Sequence, residues 1–129
     1  MIRRWPILVI LICLLLTSKI SSGASSHFQK PIQYGGEQEL DAWYYVPEAN
    51  VPIVIRHIGD KTPYYIEVDE QQISDIFYLK GEEEISIDVP IKLKNKKGAQ
   101  FFKICSVAFH GSMGSRICTK AELFLIQNK

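Results

Sequence analysis

The sequence is poor in the residues on which most enzyme and metal chemistry depends. It contains three histidines and three cysteines in 129 residues. The motifs H-E-x-x-H and G-x-S-x-G and a phosphate-binding glycine loop are missing, and the histidines have no metal-ligand spacing. These absences predict a protein that is not an enzyme and uses no cofactor or metal ion. An enzymatic role would need a cleft in which His57 or His110 meets a carboxylate and a nucleophile.

The chain also lacks a surplus of positive charge. It has 15 basic and 14 acidic residues, and without residues 1–24 the balance becomes 12 basic against 14 acidic. A protein without a general basic field is not expected to bind nucleic acid. The lysines between Lys92 and Lys97 form a local basic patch, which we interpret as a solvated turn.

The N terminus follows the plan of a secretory signal peptide. Arg3 and Arg4 precede an apolar run from Ile7 to Leu16, and small residues follow at 22–24. The run is shorter than the roughly 20 apolar residues of a membrane-spanning helix, so we expect cleavage after Ala24, with an uncleaved anchor as the alternative. This predicts an exported protein, periplasmic or extracellular, that meets the membrane only through the transient signal peptide. The absence of an N-x-S/T glycosylation acceptor favours a bacterial periplasm.

The most informative stretch is residues 101–126, which reads as two strands joined by a two-residue turn at Gly111-Ser112. This register places Cys105 opposite Cys118 in a non-hydrogen-bonded pair, where Cα atoms are about 4.5 Å apart. In an exported chain the pair predicts a structural disulfide, since it lacks the C-x-x-C spacing of a redox-active dithiol. We expect the disulfide on the more exposed face of the hairpin.

The rest of the chain predicts short strands separated by turns. Residues 25–36 are expected to form a flexible lead-in, with a short edge strand as the alternative. Apolar alternation predicts strands at 40–46, 51–58, 64–68, 75–79 and 85–91. Turns are expected at 59–63, 81–84 and 94–98. The pattern predicts one domain, residues 37–129, with an immunoglobulin- or fibronectin-III-like antiparallel β-sandwich of about seven strands.

Two groups of residues are candidates for recognition. Exposed aromatic side chains provide rigid contact area at protein interfaces, and we predict Trp43, Tyr45 and Tyr65 as binding residues, with core packing as the competing interpretation. We expect Trp43 and Tyr45 to be exposed on one sheet face. The hairpin tip, with Ser112 and Met113, is the second candidate. Unpaired sheet edges offer a third route to a partner.

These features together predict a non-catalytic binding module whose partner is another protein. The expected role is an accessory or interaction subunit of a periplasmic or cell-surface assembly. The alternative is a secreted inhibitor or effector that inserts the hairpin tip, residues 110–115, into a partner's cleft. Substitutions at the tip and at the aromatic residues would distinguish the two.

Overall fold

The computed structural model describes residues 25–110 and 113–127. Within these ranges the chain is all-β, with eight strands, and its only helical segment is a 3-10 turn at Leu40–Ala42. The strands are β1 (Ser26–Lys30), β2 (Gln33–Gly35), β3 (Trp43–Tyr44), β4 (Glu48–Val68), β5 (Gln71–Gln72), β6 (Phe77–Lys92), β7 (Gln100–His110) and β8 (Met113–Leu125). The expected signal peptide and the expected turn residues Gly111 and Ser112 lie outside the described residues.

Strand β4 organises the sheet. Its first half pairs with β1 and β6, and its second half pairs with β6 and β7. Strand β7 pairs with β8, and β8 carries β2 and β3 in parallel orientation. The consecutive strands β1 and β2 thus join β4 and β8 respectively, and the sheet is nearly barrel-like.

A continuous strand replaces the turn expected at residues 59–63. Strand β4 continues through this stretch, with a shift of register between Gly59 and Thr62, and Gly59 pairs with Gly81 of β6. Such an irregularity lets a strand bend and change neighbours without ending. The acidic stretch Glu82–Glu84, expected in a turn, likewise lies inside β6. Both turn predictions are wrong because the two strands bend together and their pairing continues.

The strand expected over residues 40–46 is largely absent. Leu40–Ala42 forms the 3-10 turn, closed by a hydrogen bond from the Ala42 N–H to the Glu39 carbonyl at 3.0 Å. Only β3 pairs with a neighbour here, and Leu40 and Val46 are exposed. The apolar alternation in this stretch therefore does not mark a buried face.

The expected lead-in contains β1 and β2, as in the edge-strand alternative. Strand β1 pairs with residues 54–58 of β4, and its inward side chains, His27 and Gln29, reach β7 and β8. These two polar side chains face a part of the interior that holds other polar groups, which explains why apolar alternation does not reveal the strand.

The core lies between the inward faces of the long strands, where the alternation predicted the buried residues well. The predicted inward side chains of residues 51–57 are all buried, and those of residues 85–91 range from half-buried to buried. The largest fully buried apolar side chains are Val51, Ile53, Ile55, Tyr64, Ile66, Val89, Ile104 and Leu123.

The register of the C-terminal hairpin is confirmed. Cys105 pairs with Cys118, and His110 with Met113, which leaves two residues for the turn. The two cysteines form a disulfide, with their Cα atoms 4.0 Å apart. The expected exposed face is wrong for Cys105, which is fully buried because Glu67 of β4 pairs directly beside it. The disulfide is compatible with an oxidising, exported location.

Candidate functional site

The aromatic residues predicted for binding do not form one surface. Trp43 pairs with Phe124 near the end of β8, whereas Tyr65 lies at the level of Arg116, near the start of that strand. Residues 116 and 124 are eight positions apart, which is about 27 Å along an extended strand. The structure therefore separates Trp43 and Tyr45 from Tyr65.

The hairpin tip is described only in part. Ser112 lies outside the described residues, and Met113 is described by its backbone as the first residue of β8, paired with His110. Tyr65 pairs with Val107, which lies three residues before His110 on β7. Its ring packs against that of Phe109, with ring centroids 5.9 Å apart. Recognition through the tip stays a prediction.

Exposed apolar side chains concentrate on residues 32–46, which we call the border segment because β2 and β3 flank β8. Leu40 is 89% exposed and Tyr45 is 80% exposed. Ile32 and Val46 are also more than half exposed. Single exposed hydrophobic residues are ordinary on protein surfaces, and here four of them fall within one stretch of fifteen residues.

Trp43 anchors the border segment to the fold. Its ring stacks on Phe124, with centroids 4.4 Å apart and planes at 13°. Its Nε1–H donates a hydrogen bond to the Glu37 carbonyl at 2.9 Å. Trp43 is therefore half-buried, whereas the neighbouring Tyr45 projects into solvent.

Two tyrosines of the border segment, Tyr34 and Tyr44, pack against the rest of the domain. Tyr34 and Tyr44 are half-buried, and the Tyr44 hydroxyl donates a hydrogen bond to the Asn50 carbonyl at 3.2 Å. Burial, together with the nearby Tyr44 hydroxyl, raises the pKa of Tyr34 to about 12. The Tyr34 hydroxyl therefore stays protonated at neutral pH.

A second candidate site is a cleft of about 310 Å³ between the start of β1, the bend of β4 and the β7–β8 hairpin. We call it the histidine cleft. His27 lies in its wall, with Nδ1 2.7 Å from Ser115 Oγ and Nε2 2.7 Å from Ser106 Oγ. The cleft is lined by Ser25, Ser26, His27, Thr62, Tyr64, Ala108, Gly114 and Ser115.

The hydrogen bonds around His27 determine which of its nitrogens carries a proton. Gln29 Nε2 donates to the Ile104 carbonyl and Gln29 Oε1 accepts from the Ser106 backbone N–H, both at 3.0 Å. The hydroxyl hydrogen of Ser106 must therefore point to Gln29 Oε1, 2.6 Å away. Ser106 Oγ then accepts from His27 Nε2–H, and in the neutral imidazole Nδ1 accepts from the Ser115 hydroxyl.

His27 is held in this neutral form. Burial, and to a smaller extent the neighbouring His57, lowers the pKa of His27 from 6.5 to about 4. The Tyr64 ring packs edge-on against the imidazole, with centroids 5.0 Å apart. At neutral pH the imidazole is therefore an acceptor at Nδ1.

His57 has a structural role at the bend of β4. Its Nε2–H donates to the Asp60 carbonyl at 2.7 Å, and its Nδ1 accepts from the Tyr64 hydroxyl at 2.6 Å. The Thr62 hydroxyl donates to the same Asp60 carbonyl at 2.8 Å. The bend thus satisfies a carbonyl that regular pairing leaves free. Burial raises the pKa of Tyr64 to about 12, so its hydroxyl stays a donor.

A buried acidic side chain lies on the outer face of the hairpin. Glu67 Oε1 is 2.6 Å from Arg116 Nε, with the Glu67 side chain buried and that of Arg116 half exposed. The two groups carry opposite charges and are in contact, so we treat them as an ion pair. Contact with the Glu67 carboxylate, through hydrogen bonding and then charge, raises the pKa of Arg116.

Sequence reasoning does not find the histidine cleft. It places His27 in a lead-in and does not single out Ser115. One usable signal is that His27 and Gln29 share one side of β1, while Ser106 and Thr119 lie on the predicted buried face of the hairpin. Polar side chains inside a fold need partners, but the sequence does not show that these two sets meet.

Within residues 25–110 and 113–127, no three histidine, cysteine or acidic side chains are grouped so that they could hold a metal ion. In the same part of the chain, no helix has the length and apolar character needed to cross a membrane. In comparisons with known proteins, no family model and no curated protein matches this chain. Its function is therefore inferred from its own residues.

Proposed function

We propose that the protein is an exported binding module whose partner is another protein. Its role is that of an accessory or interaction subunit of a periplasmic or cell-surface assembly. The observation that carries the proposal is the border segment, in which Leu40 and Tyr45 are almost fully exposed and Ile32 and Val46 are more than half exposed. Large side chains of this kind lose most of their water contact on binding and supply much of the energy of an interface.

We infer an immunoglobulin- or fibronectin-III-like sandwich as the scaffold of this module. The pairing supports it, because β1 joins one part of the sheet through β4 while β2 joins the other through β8. Such an arrangement gives the border segment a rigid support, anchored by the stack of Trp43 on Phe124. A rigid support lowers the entropic cost of binding.

We expect side chains, rather than strand addition, to dominate the contact. Strands β2 and β3 have three and two residues, and short edge strands offer few backbone groups to a partner strand. The exposed side chains of Leu40 and Tyr45, by contrast, provide contact area without further rearrangement.

Export is tested by the N terminus of the protein recovered from the native compartment. Mass spectrometry of protein from the periplasm or the culture medium is expected to find Ser25 as the first residue. Recovery of the chain only from the membrane fraction, with residues 1–24 intact, would contradict export as a cleaved protein.

Binding is tested by affinity capture from that compartment with matched variants. The double variant Leu40→Ser/Tyr45→Ser is expected to capture at least tenfold less partner, which corresponds to about 1.4 kcal/mol. Phe101→Ser is the control, because Phe101 is 71% exposed but lies on β7, outside the border segment. Equal capture by all proteins contradicts the border segment as the site, and loss only on Ser112→Ala/Met113→Ala favours tip insertion instead.

A further inference from the structure

We propose that Ser115 is a nucleophile toward small activated carboxylic esters and phosphonyl fluorides, with His27 as its general base. The site is the histidine cleft, which is separate from the border segment. The reaction at Ser115 does not depend on partner binding. It revises the expectation of a non-catalytic protein at a histidine that the sequence does not single out.

The geometry is that of a nucleophile, a base and a group that orients the base. The Ser115 hydroxyl donates to His27 Nδ1 over 2.7 Å, and His27 Nε2–H donates to Ser106 Oγ over 2.7 Å. Ser106 is itself held by Gln29 through a hydrogen bond of 2.6 Å. Nucleophilic serines are recognised by this order of contacts, whatever their positions in the sequence.

The two sides of His27 differ in what they do for the fold. The Nε2 side connects β1 to the interior through Ser106 and Gln29, in addition to the backbone pairing of β1 with β4. Ser115, by contrast, is exposed, and its strand is already paired with β7 through the backbone. The contact from Ser115 to Nδ1 adds little that the fold requires, and it lies where the cleft offers about 310 Å³ for a small reactant.

The reaction needs only Ser115, His27, the reactant and water. Ser115 Oγ attacks the carbonyl carbon of an ester while its proton passes to His27 Nδ1. The C–O bond to the leaving group breaks, and the leaving alkoxide takes that proton. Water then hydrolyses the acyl-serine. With a phosphonyl fluoride, the Oγ–P bond forms, the P–F bond breaks, and fluoride leaves together with the proton.

The rate of this reaction should depend on pH through the protonation of His27. The titratable side chains that face the imidazole are His57 and Tyr64 of β4, while Ser106 of β7 and Ser115 of β8 carry no charge. In the exported protein, cleavage after Ala24 adds the α-amino group of Ser25 to the lining of the cleft, and its positive charge also favours the neutral imidazole. The reactive form is the neutral imidazole. Because the pKa of His27 is about 4, reactivity should stay level from pH 8 to about pH 5 and fall as the pH passes through about 4.

The test uses exported protein, its N terminus established by mass spectrometry, and a fluorophosphonate probe followed by peptide mapping. Modification of Ser115 is expected to be at least about tenfold faster than that of Ser86, an exposed serine on β6. General-base assistance contributes about a hundredfold or more when the pKa of the base lies near the working pH, and a base with a lowered pKa contributes less. Ser115→Ala should abolish the fast reaction, His27→Gln should slow it to the Ser86 rate, and Ser86→Ala should leave it unchanged.

The outcomes that overturn the proposal are equally definite. Labelling of Ser115 no faster than Ser86, a fast reaction that survives in Ser115→Ala, or a labelling rate that does not fall on acidification would each do so. Circular dichroism of Ser115→Ala separates loss of the nucleophile from loss of the fold, because this exposed side chain is not required by the core. If His27→Gln fails to fold, the pH profile of the unaltered protein still decides the role of His27.

Discussion

Glu67 and Cys105 lie directly opposite each other on β4 and β7, so a buried carboxylate borders the disulfide of the C-terminal hairpin. The carboxylate is compensated by Arg116, which reaches it from β8, two residues from Cys118. A charge removed from water is costly unless it is paired. This pair therefore connects β4 to the far strand of the hairpin.

Replacing Arg116 should destabilise the fold, because the buried Glu67 carboxylate loses its charged partner. Arg116→Met is therefore expected to lower the free energy of unfolding. The loss stays below that of a fully buried pair since Arg116 is half exposed. Urea unfolding at pH 7 measures it. Adding Glu67→Gln to Arg116→Met should restore part of the loss, and an unchanged midpoint in Arg116→Met would show that the pair contributes nothing.

Acidification should destabilise the fold through His27. The folded-state pKa is about 4, against 6.5 for an unperturbed histidine, so between these values the unfolded chain binds more protons than the folded chain. Stability contributed by neutral His27 is therefore complete above about pH 6.5 and is lost as the pH falls toward 4. Urea midpoints between pH 7.5 and 4 should fall more steeply for the natural protein than for His27→Gln. Parallel curves for the two would contradict this role.

A side chain at Gly35 should disrupt the attachment of β2 to β8. Gly35 has φ +84°, and a Cβ there would overlap the Glu122 carbonyl oxygen of β8. Gly98 is the matched control, with φ +91° and open space around it. Gly98→Ala is expected to cost about 1–2 kcal/mol, the strain of a left-handed alanine. Gly35→Ala should cost about 1–3 kcal/mol more, as overpacking does. Equal losses in thermal or urea unfolding would rule out the clash.

Parts of the fold were predictable because they depend on short-range spacing. Twelve residues lie between Cys105 and Cys118, and with a two-residue turn the pairing of every position between them follows by counting. The burial of Val51, Ile53 and Ile55 follows from strict alternation, since successive side chains of a strand point to opposite faces and every second residue faces the core.

Other parts depend on partners that are distant in the sequence. Gly59 reads locally as a turn, and only its pairing with Gly81 makes the stretch a bend in a longer strand. The alternation over residues 40–46 predicts a buried Leu40, yet the chain turns away from the core there. The disulfide was expected on an exposed face, and Glu67 arrives beside Cys105 only when β4 and β7 pair.

From the sequence by itself follow the all-β class, the hairpin register and the disulfide, because side-chain period and turn length are local properties of the chain. Tertiary structure alone decided which apolar residues of the border segment are exposed. It also brought His27 of β1 to Ser106 and Ser115, 79 and 88 positions away. Apolar periodicity records burial, whereas a hydrogen-bonded cleft depends on how distant strands meet, and no local pattern carries that information.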